Sequence, residues 1–329
     1  MLRTIPHVMV AVFILSLLVN GCNRNQENFE GISSLKLNMD GAISDLAWSP
    51  NGQYIAFTID PGWEIETDLE RTIFIVDLNT NMYHPIQEYD DRILYEVRGA
   101  KWSPDSRSLI LYYPLAVVDP LGNSSNSSQS DIVILEAQTG KLLQTVRNGS
   151  NATWGTADNQ VIIVDSDTGK ANQELPIYQV DLNAGEFKEI AKVEPAYTLY
   201  GLDVSSTGLL AYRDKGSLQI IDIDSREPVG RIEVKGRLYS PAWSPDGQIL
   251  AYIQDTPNSQ KAIYLISFDG LCRSDPLNLG TIVKSIDWSP DGKQLAFSTD
   301  KAGEIYFLDL TIGVGKQLLD SYQTRCHSR

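Results

Sequence analysis

Residues that build metal and nucleophile sites are scarce: three histidines and three cysteines among 329 residues. His7, His84 and His327 share no motif, so a His-based zinc or manganese centre has no ligand set. His84, in NMYHPIQE after a strand-like run, reads as a surface loop residue. No metal and no cofactor is expected. Cationic residues are also few, 27 Lys and Arg against 42 Asp and Glu, for a formal charge of −15. That excludes nucleic acid as a partner, because a phosphate backbone is held by clustered Lys and Arg. No G-x-S-x-G elbow occurs, and the repeats below leave no residues for the α/β hydrolase domain it would serve. DSDTG at 165–169 has alternating carboxylates but lacks the other ligands of a calcium loop, so it reads as an acidic turn. After the N-terminus no stretch shows sustained helical periodicity.

What is there begins with a leader. Arg3 precedes a charge-free, almost wholly apolar stretch of 12 residues at 8–19. A membrane-spanning helix needs about 20 such residues, so the layout is that of a secretory signal. It closes on VNGC, which resembles the lipobox of bacterial lipoproteins, and the resemblance implies lipid attachment at Cys22. Residues 1–21 then form the signal peptide, and the polar stretch 22–34 is a lipidated tether. Two cysteines remain, Cys272 and Cys326. An exported chain can keep a disulfide, and a bridge between these two would pin the C-terminal tail.

The rest repeats. AWSPNGQYIAF, KWSPDSRSLIL, AWSPDGQILAY and DWSPDGKQLAF are near-copies, and in register the chain shows six units. They are marked by Trp48, Trp102, Trp154, Val204 in place of a Trp, Trp243 and Trp288, at steps of 39 to 54 residues. Such a period signals a stacked or radial repeat. Each unit has a second half, such as IYFLDL or IFIVDL. A strand leads to the Trp, then SPDG makes a tight turn with Pro presetting φ, and three further strands follow. Four antiparallel strands repeated six times predict an all-β, six-bladed β-propeller over 35–321, followed by a tail at 322–329. The Trp reads as packing between blades. GKQLLD near the end looks like the last strand of blade 6, with closure by the N-terminal SSLKLN as the competing arrangement.

WSPDG followed by LAF or LAY and then IYFLDL resembles the TolB-type propeller repeat, a relative of the WD-repeat group. TWGTADNQVIIV and DVSSTGLLAY depart from the pattern, which makes blades 3 and 4 less regular. The resemblance implies protein–protein contacts in the cell envelope, on its periplasmic or extracellular side.

Strand alternation sorts the loops onto two faces. One face carries the long loops 60–71, 114–130 and 165–175 over blades 1 to 3. On that face the channel mouth should be lined four residues before each repeat Trp, by Ser44, Arg98, Ser150, Tyr200, Tyr239 and Lys284, with Trp63 as a cap. Two cations and two tyrosines suit an anionic ligand or a peptide segment. The expected function is a lipid-anchored, non-enzymatic module binding an envelope protein, a peptide or a small ligand. The alternative is an envelope enzyme or sensor that recognises a glycan, peptide or small molecule in the same mouth.

Overall fold

The computed structural model describes residues 29–60, 73–86, 98–118, 124–146, 149–165, 174–194, 201–214, 216–233, 237–256 and 260–327. Strand β1 (Ile32–Lys36) comes first. Blade 1 contains β2 (Ala42–Trp48), β3 (Tyr54–Asp60), β4 (Ile73–Asp77) and β5 (Met82–Pro85). Blade 2 contains β6 (Arg98–Trp102), β7 (Ser108–Val118), β8 (Ser124–Glu136) and β9 (Leu142–Val146). Blade 3 contains β10 (Gly149–Trp154), β11 (Gln160–Asp165), β12 (Leu175–Asp181) and β13 (Glu186–Val193). Blade 4 contains β14 (Leu202–Val204), β15 (Leu209–Asp214), β16 (Ser217–Asp222) and β17 (Pro228–Glu233). Blade 5 contains β18 (Leu238–Trp243), β19 (Ile249–Asp255), β20 (Lys261–Ser267) and β21 (Leu277–Asn278). Blade 6 contains β22 (Val283–Trp288), β23 (Gln294–Thr299) and β24 (Glu304–Asp309), and helix α1 (Gly313–His327) ends the chain. These are six four-stranded antiparallel sheets, the six-bladed propeller that the repeat predicts.

The SPDG motif folds for a local reason. Gly52, Gly247 and Gly292 take positive φ, and each amide donates to the carbonyl of the turn's serine. The serine hydroxyl then accepts the amide five residues on, at 2.9 Å, from Tyr54, Ser108, Ile249 and Gln294. The same hydroxyl donates to Asn51, Asp105, Asp246 or Asp291. One side-chain pair thus satisfies the turn's orphan donors while the serine is buried.

The apolar core lies in the joints between blades rather than inside any one of them. Ala47, Ile73 and Ile75 of blade 1 pack with Trp102, Leu109 and Val133 of blade 2, and five further clusters fill the other joints. The repeated Trp does more than fill space. The indole of Trp102 donates to the Ala47 carbonyl at 3.0 Å, Trp154 to Lys101 at 2.9 Å, Trp243 to Asp203 at 3.3 Å and Trp288 to Ala242 at 3.0 Å. Each is a staple to the preceding blade. Val204 leaves the joint of blades 3 and 4 without an indole donor. Trp288→Phe keeps a ring in its joint but strands a buried carbonyl. We expect a loss of about 1–2 kcal/mol in urea unfolding; an unchanged midpoint would mean that the staple contributes nothing.

Four sequence expectations are corrected. GKQLLD is not a strand: it lies in α1, which also takes up the segment read as a tail. The fourth strand of blade 6 is β1, in register from Ile32 opposite Leu308 to Lys36 opposite Glu304. The ring therefore starts ahead of the boundary read at Leu35. With the edge of β24 already occupied by β1, GKQLLD has no ladder to join, and its backbone satisfies itself as a helix. The supposed long loop at 114–130 is mostly a hairpin, because β7 and β8 stay paired out to Val118 and Ser124. His84 lies on β5 rather than in a loop, and is exposed there. Loops 61–72 and 166–173 lie outside the described residues.

Closure brings the chain through a tight crossing. Leu37 donates to the Gly303 carbonyl at 2.7 Å, and Gly303 donates to Gly41 at 2.9 Å. Gly303 has φ +59°, and a Cβ there would meet the Leu37 carbonyl oxygen at 2.5 Å. Only glycine fits both the backbone conformation and the space.

Candidate functional site

All six inner strands face one axis. A cavity of about 200 Å³ opens there, lined by residues of every blade, among them Asp45, Gly99, Asn151, Gly201, Tyr239 and Lys284. The strands bend to make it. Register shifts interrupt the first ladder of blades 1, 2, 3, 5 and 6 near this level. Bulges re-aim side chains at a sheet end. Three residues before the Trp or its substitute, Asp45, Gly99, Gly201 and Ser240 all have positive φ, between 47° and 86°. For Asp45 and Ser240 that conformation is strained, by about 1 kcal/mol or more each.

Of the residues predicted to line the mouth, Tyr239 and Lys284 do line this cavity. Arg98 begins the inner strand of blade 2, but its side chain lies outside the described residues. Tyr200, Trp63 and Cys22 lie outside them as well. Tyr239 is well held: Lys261 Nζ sits 4.0 Å from its ring centroid, and its hydroxyl donates to Asp255 at 3.4 Å. Burial lowers the pKa of the Lys261 amine, Asp255 opposes that shift, and the neighbouring cations Lys284 and Arg237 add to it. Lys284 thus lies near Lys261 and Arg237 where blades 5 and 6 meet, with the Asp255 carboxylate among them.

Below the mouth lies a cluster that the sequence reading missed. The residue just before the Trp is Ala47, Lys101, Thr153, Asp203, Ala242 and Asp287 in blades 1 to 6. Blades 2, 4 and 6 thus put a charge on the axis. Lys101 Nζ meets Asp203 Oδ1 at 3.1 Å across the channel. The Trp243 amide donates to Asp203 Oδ2 at 2.8 Å, and the Trp48 amide to Asp287 Oδ2 at 2.7 Å. Each carboxylate so ties its blade to the next one round. Burial alone would lower the Lys101 pKa, but attraction by Asp203, Asp287 and Asp45 outweighs it and raises the value. Burial raises Asp287 to about 6, opposed by Lys101 and reinforced by Asp203. The copies KW, DV and DW beside AW carried this signal. It went unread because a charge beside a Trp has no obvious partner until the ring closes.

Cys272 and Cys326, distant in sequence, are neighbours here: both carry free thiols, and burial together with the adjoining Cys272 side chain raises the pKa of the Cys326 thiol to about 11. Among the described residues no His, Cys, Asp and Glu side chains form a metal-ligating group, and no helix is long and apolar enough to cross a membrane.

No family model matches the sequence. One curated protein, the Tol-Pal system protein TolB of Alcanivorax borkumensis, is 32% identical over 86 residues, 26% of this chain. That match spans 20% of the relative's length. Among solved structures, TolB from Acinetobacter baumannii is similar with a TM-score of 0.52 and 18% identity, over 82% of this chain and 57% of that one. A chain of the Mitotic Checkpoint Complex is similar with a TM-score of 0.54 and 14% identity, over 92% of this chain and 99% of that one. The propeller domain of Cps50 (Swd1) from Myceliophteria thermophila gives 0.51 and 13%, over 84% and 99%. At these identities the structural likenesses speak for the fold alone. The fold is a six-bladed β-propeller, and over 86 residues its repeats are similar in sequence to the Tol-Pal system protein TolB.

Proposed function

We propose that this chain is an exported, lipid-anchored binding module of the cell envelope, which holds an acidic or carboxylate-bearing segment of a partner protein at its axial mouth. The observation that carries this reading is that Tyr239 and Lys284 both line a cavity built by all six blades, with the Lys261 amine 4.0 Å from the Tyr239 ring centroid. A tyrosine gives contact area with a polar tip, and clustered cations favour an anionic ligand. The TolB-like repeats support an envelope role. The signal-like leader and the lipobox-like VNGC support export and attachment through Cys22.

A photo-crosslinking residue at Tyr239, in cells, tests the mouth. The expected result is one discrete adduct, reduced about tenfold by Lys284→Glu, since reversing a charge in a paired site costs at least 1.4 kcal/mol. The control is the same crosslinker at Phe187, exposed on blade 3. Equal adducts from both positions, or none from Tyr239, would overturn the reading. Metabolic palmitate labelling that survives Cys22→Ser would overturn the anchor.

A further inference from the structure

Helix α1 contributes nothing to the mouth, yet both its ends are held. At its start Val314 donates to the Glu30 carbonyl at 3.0 Å, just before closing strand β1. Its apolar side, Val314, Leu318, Leu319 and Tyr322, packs in one cluster with Phe29 and Ile32. At its far end it meets the blade 5 turn that follows β20. The Asp275 amide donates to Ser321 Oγ at 3.0 Å, and Arg325 pairs with Asp275. That turn is itself fixed, because the Ser267 amide donates to the Cys272 carbonyl and the Cys272 amide to Ser267 Oγ, each at 2.9 Å. Between these two supports, Cys326 on the helix meets Cys272 on the turn, with both residues half-buried.

We propose that Cys272 and Cys326 form a disulfide which locks α1 onto blade 5 and so clamps the strand that closes the ring. Two independent anchors, the Asp275 contacts and the Ser267 turn, hold the two backbones in place for it. The chemistry is thiol–disulfide exchange with a small-molecule disulfide such as oxidised glutathione. One protein thiolate attacks the glutathione disulfide and releases one glutathione thiolate. The second protein thiol, deprotonated, attacks the mixed disulfide and releases the other. The protein loses two protons and two electrons, and one oxidised glutathione becomes two reduced ones. Burial and the neighbouring Cys272 side chain push the Cys326 thiol up to about 11, which slows attack by Cys326. The bridge is independent of any binding role at the mouth.

The test uses the full chain carrying Cys22→Ser, so that two thiols remain. After incubation with oxidised glutathione, intact mass should fall by two hydrogens with no glutathione retained, and peptide mapping should join the Cys272 and Cys326 peptides. Amide exchange in Ile32–Lys36 and in α1 should slow about tenfold against the reduced protein. Adding Cys326→Ser should leave a stable glutathione adduct on Cys272, which separates resolution by Cys326 from mere inaccessibility. Adducts persisting on both cysteines, a bridge between two chains, or no reaction would overturn the pairing. A bridge that forms without slowing exchange in Ile32–Lys36 would overturn the clamp.

Discussion

A chain shortened to begin at Leu37 should lose its cooperative unfolding transition. The shortened chain lacks β1, and with it five paired positions along β24. The edge left behind, Glu304–Asp309, carries Ile305 and Leu308, both fully buried in the closed ring. Leu35 leaves a buried cluster, and the Asp309 and Val314 amides lose the carbonyls of Gly31 and Glu30. Burying each large aliphatic contributes about 1.5–3 kcal/mol, and each stranded buried donor costs about 1–3 kcal/mol. The sum rivals the whole stability of an ordinary domain, about 5–15 kcal/mol. Circular dichroism melts and size-exclusion chromatography would show an early, broad transition and aggregation through the bare edge. A chain lacking only residues 1–28 should melt like the full protein. If the chain beginning at Leu37 melts within a few degrees of it, closure by β1 does not hold the ring.

Lys101→Ala should destabilise the ring by about 3 kcal/mol. Removing one member of a buried ion pair leaves the others uncompensated, at about 3–5 kcal/mol. The lower end applies because the Lys101 side chain keeps 26% exposure toward the channel. The loss should also depend on pH, with a sign fixed by Asp287. Its folded pKa, about 6, lies above the ordinary carboxylate value, so the folded chain binds an extra proton between them. The stability this adds is fully present below about pH 4 and lost as pH rises through 6. Without Lys101, which lowers that pKa, the window extends upward. The penalty should therefore be larger at pH 7.5 than at pH 5 in urea titrations. An equal penalty at both would show that Lys101 and Asp287 are not coupled.

How much of this was legible depended on the range of the interaction. The SPDG turns could be read because Ser289 and Asp291 act on amides at most five residues away. The Trp could be placed between blades, but not its acceptor, since Ala242 and Trp288 belong to different repeats. At the mouth, Tyr239 and Lys284 were found by counting back from the Trp, because each blade repeats the same geometry. Lys101, Asp203 and Asp287 escape the same count: Lys101 meets Asp203 two blades away across the axis, and Asp203 and Asp287 accept amides of the next blade.

The sequence by itself determined the number of blades, from the spacing of the repeated Trp, and the SPDG-type turn in four of them, because a tight turn is settled within a few residues. The tertiary structure alone decided which end of the chain supplies the last strand. KLLQTV and GKQLLD are locally alike, yet the first becomes β9 and the second becomes helix. What separates them is whether a neighbouring edge is still open when the ring closes, and that depends on where β1 lies.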